Sequence, residues 1–318
     1  MKRLLIILLL CLPLAGFSQN RKFDKLLDKY DVLPSLLAAK GQMPNTNAYW
    51  YAVWTNNPRL KKMVEAAEKK KETYLKAHEE MYRAGLSAQL YRESLNYVTD
   101  FPFLDTLAMN LLNELGVQKQ RPEFNIRFVY DSTPNAMADP DANIIITSAL
   151  LDNKELDFWA LLGITAHESA HTLLMHSWQN AWQTQVKYKE NQIAGAITAG
   201  ANAMAAGYAQ ANGVNVDWND VNQTTANLAQ AAYDDAFVRF YYKYSREEEL
   251  EADIIAFRFL DWIGVGGEVY IKALNAMKTE DESIASNKDK DGDHPTIEYR
   301  IQFLEYMAQT RARIQPKQ

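Results

Sequence analysis

A predominantly helical α+β fold with one small antiparallel sheet is predicted by three features of this 318-residue sequence. From Arg21 to about Tyr97, and again from Asp105 to Leu115, apolar and charged residues recur at helical spacing. Between these and the next helix, Phe124 to Tyr130 alternates like a half-buried strand, and Asn143 to Thr147 reads as a second strand after a turn at Asp131 to Asp141. A long apolar helix follows, from about Asn153 to Gln179, with Asp152 and Glu155 spaced as a capping box.

Composition narrows the class. With 47% hydrophobic, 11% aromatic and 23% charged residues the chain is neither fibrous, collagen-like nor wholly disordered. Its length allows one large or two modest domains. Thirty-four basic against 40 acidic residues give a net charge of −6, and no Lys/Arg block stands free of acids. That balance argues against nucleic acid as a partner, because such binding begins with phosphate neutralisation.

The first 18 residues read as an export signal. Lys2 and Arg3 form a basic start, Leu4 to Leu10 an apolar stretch and Ala15-Gly16-Phe17-Ser18 a small-residue end, with Gln19 the expected mature N-terminus. The apolar run is too short to span a bilayer. Leu10 is not small and Cys11 comes very early, which argues against lipid attachment. Cleavage removes the only cysteine, so a secreted or periplasmic mature protein would have no disulfide. Residues 19–100 are then a charge-rich helical region, whose His78 reads as a surface residue, and 101–318 the remaining domain. The uncharged Ala/Gly-rich stretch 191–216 is interrupted by Asn202, Gln210 and Asn212 and reads as a close-packed helix over the core, not a membrane span. No transmembrane span is expected after signal removal.

The chemistry sits on the long helix, in His167-Glu168-Ser169-Ala170-His171. Helical residues four apart share a face, so both imidazoles can hold one ion while Glu168 stands beside it. His176 falls about 180° from His167 on a continuous helix and reads as a packing or surface residue. Ser177 stands where a metzincin would place its third histidine. The third ligand must come from elsewhere. In Ser245-Arg246-Glu247-Glu248-Glu249-Leu250-Glu251-Ala252-Asp253, Glu249 and Asp253 share a helical face, one to ligate and one to orient an imidazole. Spacing alone leaves Glu247, Glu248 and Glu249 open as the ligand, with solvation accounting for the others.

Four blocks together resemble metallopeptidase family forty-eight, the HtpX-like, CAAX-prenyl-protease-like and BepA-like zinc endopeptidases. Asn135-Ala136-Met137-Ala138-Asp139-Pro140, followed by Ile144 to Leu151, resembles that family's Asn-Ala-Phe-Ala-x-Pro block and edge strand. His167 to His176 resembles its H-E-x-x-H-x-x-x-x-H, Ser245 to Asp253 its S-R-x-x-E-x-x-A-D, and His294-Pro295 with Arg300-Ile301 its H-P-x-x-x-x-R-I. The resemblance departs at Asp141-Ala142, where the family has Gly-Gly, and it leaves the N-terminal helical region unmatched.

The resemblance implies a zincin-like metalloprotease fold, with the sheet beside the active-site helix. It implies one Zn2+ per chain on His167, His171 and Glu249, with Asp253 supporting that site. It also implies that His294 approaches the metal, with Arg300 beside it. Glu168 is then the general base, and the strand Asn143-Ile144-Ile145-Ile146, with Asn135 before it, would pair with substrate. The expected activity is endopeptidase cleavage of unfolded, exported polypeptide; the alternative is a zinc-containing holdase that cleaves little or nothing. Asn287, Asp289, Asp291 and Glu298 match calcium-loop spacing loosely and read as a solvated acidic loop before Pro295.

Overall fold

The computed structural model describes residues 19–31, 45–72, 75–76, 93–139, 141–176, 178–179, 246–278 and 295–311. The expected export signal, His78, Pro140, the 191–216 stretch, Ser245, His294 and most of the calcium-like pattern lie outside the described residues. The chain divides into two compact units. Among the described residues the first holds 19–31, 45–61, 93–139, 141–176, 246–278 and 295–311, and the second holds 62–72, 75–76 and 178–179.

The first unit carries the fold. Its elements are α1 (19–30), α2 (Thr46–Asn56), the first turn of α3 (Pro58–Lys69), α4 (Phe103–Leu115), β1 (Asn125–Val129), β2 (Ala136–Ala138), β3 (Asn143–Thr147), α5 (Ser148–Leu151), α6 (Phe158–Leu173), α7 (Arg246–Trp262), α8 (Glu268–Ala276) and α9 (Ile297–Thr310). The predominantly helical α+β class holds. The sheet is mixed, however, in the order β1-β3-β2: β3 runs parallel to β1 and antiparallel to β2. The expected turn at 131–141 thus contains a strand. Three residues, Ala-Met-Ala, are too few to display a period, and they lie among turn-forming residues.

Local chemistry sets the helix ends. Asn57 Oδ1 accepts from the N–H groups of Arg59 and Leu60, both at 2.9 Å, and Pro58 occupies the first helical position of α3. Helix α6 starts later than the Asp152 box suggests. Asn153 donates to Ala276 O at 2.8 Å, tying that turn to α8, and Asp157 caps α6 by accepting from Ala160 N at 2.8 Å. Every residue of α6 from Ala160 to Leu173 is buried, because α7, α8 and β2 pack around it. This is the central helix, and polar groups on it need partners inside the protein.

The N-terminal helices brace α7. Trp50 donates from Nε1 to Leu115 O at 2.6 Å and stacks on Phe259 with ring centres 5.2 Å apart. Tyr49 donates to Ile255 O at 2.6 Å, and buried Arg258 grips Asp31 through two bonds of 2.8 and 2.6 Å.

Two glycines permit the close approach of α6, α7 and α8. A Cβ on Gly163, one turn before His167, would stand 3.0 Å from Leu260 Cδ1 and 3.2 Å from the Tyr270 ring. A Cβ on Gly267 would overlap the Phe257 ring, and the Gly267 N–H is also held by Asp261 Oδ1 at 2.9 Å. Gly267→Ala is therefore expected to destabilise the protein by about 1–3 kcal/mol through overpacking. Chemical denaturation should show a lower midpoint at unchanged slope; an unchanged midpoint would contradict the close packing.

Candidate metal centre

Helix α6 presents His167 and His171 one turn apart, and the first turn of α7 brings Glu249 against them. The two Nε2 atoms are 3.1 Å apart. Glu249 places Oε2 3.5 Å from His167 Nε2 and Oε1 3.5 Å from His171 Nε2. All three residues are buried, and their donor atoms lie within 4.8 Å of one another. Two imidazoles and a carboxylate converging on one point are a donor set that suits a divalent transition metal.

Each ligand has a support. Asp253 Oδ1 lies 3.0 Å from His167 Nδ1, which leaves Nε2 to face the shared point. Asp253 in turn accepts from Tyr270 OH at 2.8 Å and from Arg300 at 2.9 and 2.6 Å. Arg300 also lies 3.4 Å from Glu249 Oε2 and donates to Tyr270 OH at 2.9 Å. It thus joins the supports of two ligands. The expectation that Arg300 serves His294 involves a residue outside the described ones.

Electrostatics favour a cation here. Burial and Arg300 would lower the pKa of His167, yet its hydrogen bonds with Asp253 and Glu249 outweigh them and raise it to about 9. Surroundings that stabilise an imidazolium also stabilise a divalent ion, in competition with the proton. Burial holds His171 well below its ordinary value and thus neutral, as a ligand must be. Burial would raise Asp253, but Arg300 and His167 hold it below the usual carboxylate range. Glu168 is pushed up to about 7 by burial and by Glu249, against the lowering pull of His167, Arg300 and a hydrogen bond with the Ala138 backbone.

The acidic run that opens α7 is not a solvated face. Glu248 and Glu251 are each 1% exposed. Arg59 lies 3.3 Å from Glu248 and 3.6 Å from Glu251, and Lys29, Tyr30 and Arg59 all meet the partly exposed Glu247. Only long-range packing of α1 and the first turn of α3 against α7 separates these carboxylates from Glu249. Tyr270 and Glu251 carry no local sequence signal either, since an aromatic or an acid on a helix is ordinary.

His176 does not face away. Helix α6 ends at Leu173, and Met175 takes a left-handed φ of 55°, so the 180° offset read from a continuous helix does not apply. The break in the helix sets His176 Nδ1 2.8 Å from His171 Nδ1, fully buried.

The proposed substrate strand also needs correction. β3 is the central strand, and Ile144, Ile145 and Ile146 are buried side chains paired on both sides. Asn143 is occupied with Asp139, and the Asn135 backbone is pinned to Thr147. The edge is β2. Because Asn135 O accepts from Thr147 N and Asp139 N donates to Asn143 O, alternation turns the Ala136 N–H and C=O away from β3. A surface concavity of ≈ 650 Å³ bordered by Asp131, Ser148 and Asp152 contains none of these site residues.

Two histidines on one helix and a glutamate from a second, with a buried glutamate beside them, form a donor set that could hold a metal ion. The chain belongs to peptidase family M48, whose family model matches residues 100–308, well over half its length. It is accordingly a metalloprotease. No curated protein matches the chain. Among the described residues no helix is long and apolar enough to cross a membrane.

Proposed function

We propose that this metalloprotease is an exported zinc endopeptidase acting on unfolded, extended polypeptides. The observation that carries the reading is the buried His167–His171–Glu249 cluster with Glu168 between it and the edge strand β2. Two nitrogen ligands and one carboxylate, with a coordination position left open, are the usual catalytic zinc set. Bound there, one zinc ion per chain would polarise the scissile carbonyl and acidify the attacking water.

Glu168 takes the proton of that water as the water oxygen bonds to the carbonyl carbon. It then passes the proton to the amine nitrogen as the C–N bond breaks. His294 is proposed to donate to the developing oxyanion. An extended substrate adds as a strand along β2, pairing with Ala136 next to the Glu168–Ala138 contact. Such pairing reads backbone rather than side chains, which favours unfolded substrates. Export rests on the Lys2 to Ser18 pattern.

The test is turnover of unfolded casein by the mature chain. Internal fragments should appear, disappear on chelation and return when zinc is added back. Chelator-insensitive turnover, or release of single terminal residues only, would overturn the proposal.

A further inference from the structure

The chain of contacts behind His171 is longer than the one behind His167. His171 Nδ1 meets His176 Nδ1 at 2.8 Å. On the far side of the ring, His176 Nε2 lies 3.5 Å from Glu251 Oε2. Glu251 Oε1 accepts from Asn57 Nδ2 at 2.6 Å, and Arg59 stands 3.6 Å from Oε2. His171, His176, Glu251 and Asn57 are all buried.

Two Nδ1 atoms in contact cannot both carry a proton or both lack one and still form a hydrogen bond. The tautomers then follow from the network. A ligand imidazole that offers Nε2 to an ion keeps its proton on Nδ1. His171 is therefore the donor and His176 Nδ1 the acceptor, which puts the His176 proton on Nε2, facing the Glu251 carboxylate.

Resting on the metal-site reading above, we infer that His176 is a positioning residue for His171. Its contact with Glu251 fixes its tautomer, and Asn57 with Arg59 holds Glu251 in place. The stretch around Asn57, which lies outside the matched family region of 100–308, thereby supports the metal centre from behind. Asn57 does so with the same side chain that caps α3.

Zinc affinity, read by chelator competition on the full chain with zinc alone, tests this without any peptidase assay. His176→Leu should weaken zinc binding about 10–100-fold, the usual effect of removing a group that orients a ligand. His176→Asn, whose Oδ1 can accept from His171 Nδ1–H, should recover most of that loss. A folded His176→Leu protein with wild-type affinity would overturn the inference, as would a thermal destabilisation of both variants with affinity unchanged. If His176→Leu does not fold, nitrogen-15 spectra of the zinc-loaded wild type decide. A proton on His176 Nε2 supports the inference, and one on Nδ1 overturns it. A wild-type protein that binds no zinc would overturn the metal site itself and this inference with it, whereas zinc-binding protein that cleaves no casein would overturn only the peptidase reading.

Discussion

Glu168→Gln is expected to lower casein turnover by about 10²–10⁴-fold while zinc content and thermal midpoint stay at wild-type values. The substitution keeps the shape of a side chain that is only 8% exposed. It also keeps an oxygen to accept from the Ala138 backbone, so packing and the β2 edge should survive. What it removes is the ability to hold a proton between water and the leaving amine. Glu168 is one residue from His167 but is not in the His167–His171–Glu249 donor set, which is why metal content should separate from activity. Full activity in the variant would refute the general base; loss of zinc would mean that Glu168 supports the site rather than the chemistry. A purely binding protein would give this buried carboxyl, raised to about 7, no role.

Much of this centre is readable in one dimension because helices impose a fixed angle per residue. His167 and His171 share a face for that reason, and Glu249 and Asp253 are the matching pair one helix away. The same rule failed at His176 because it assumes an unbroken helix. A single left-handed residue, Met175, breaks the helix between Leu173 and His176, and nothing in a methionine announces that conformation. The acidic run of α7 is ambiguous for a different reason. Whether Glu248 and Glu251 meet water or Arg59 depends on a partner nearly two hundred residues away, and burial of charge is decided by tertiary packing. Strand directions in the sheet were hidden because β2 is too short to alternate visibly. Without it, two strands joined by a turn read as a hairpin; with it, β1 and β3 become parallel neighbours.

Asp253→Leu is expected to damage both stability and metal binding, and the two losses can be separated. Asp253 is fully buried and is the acceptor for Tyr270, Arg300 and His167. Removing it leaves Arg300 with Glu249 at 3.4 Å as its remaining carboxylate. Breaking a buried pair from one side typically costs about 3–5 kcal/mol, because the other charge stays in a dry site. His167 also loses the acceptor that fixes its ring, which should weaken zinc binding about 10–100-fold. The double variant Asp253→Leu with Arg300→Met removes the stranded charge. Denaturation of the zinc-free protein should show much of the stability restored, since an apolar pair of similar volume can replace a buried ion pair at little cost. Chelator competition on the same protein should show affinity still reduced, because methionine and leucine cannot accept from His167 Nδ1. If affinity returned together with stability, Asp253 would be acting through the fold alone and the orienting role assigned to it would be wrong.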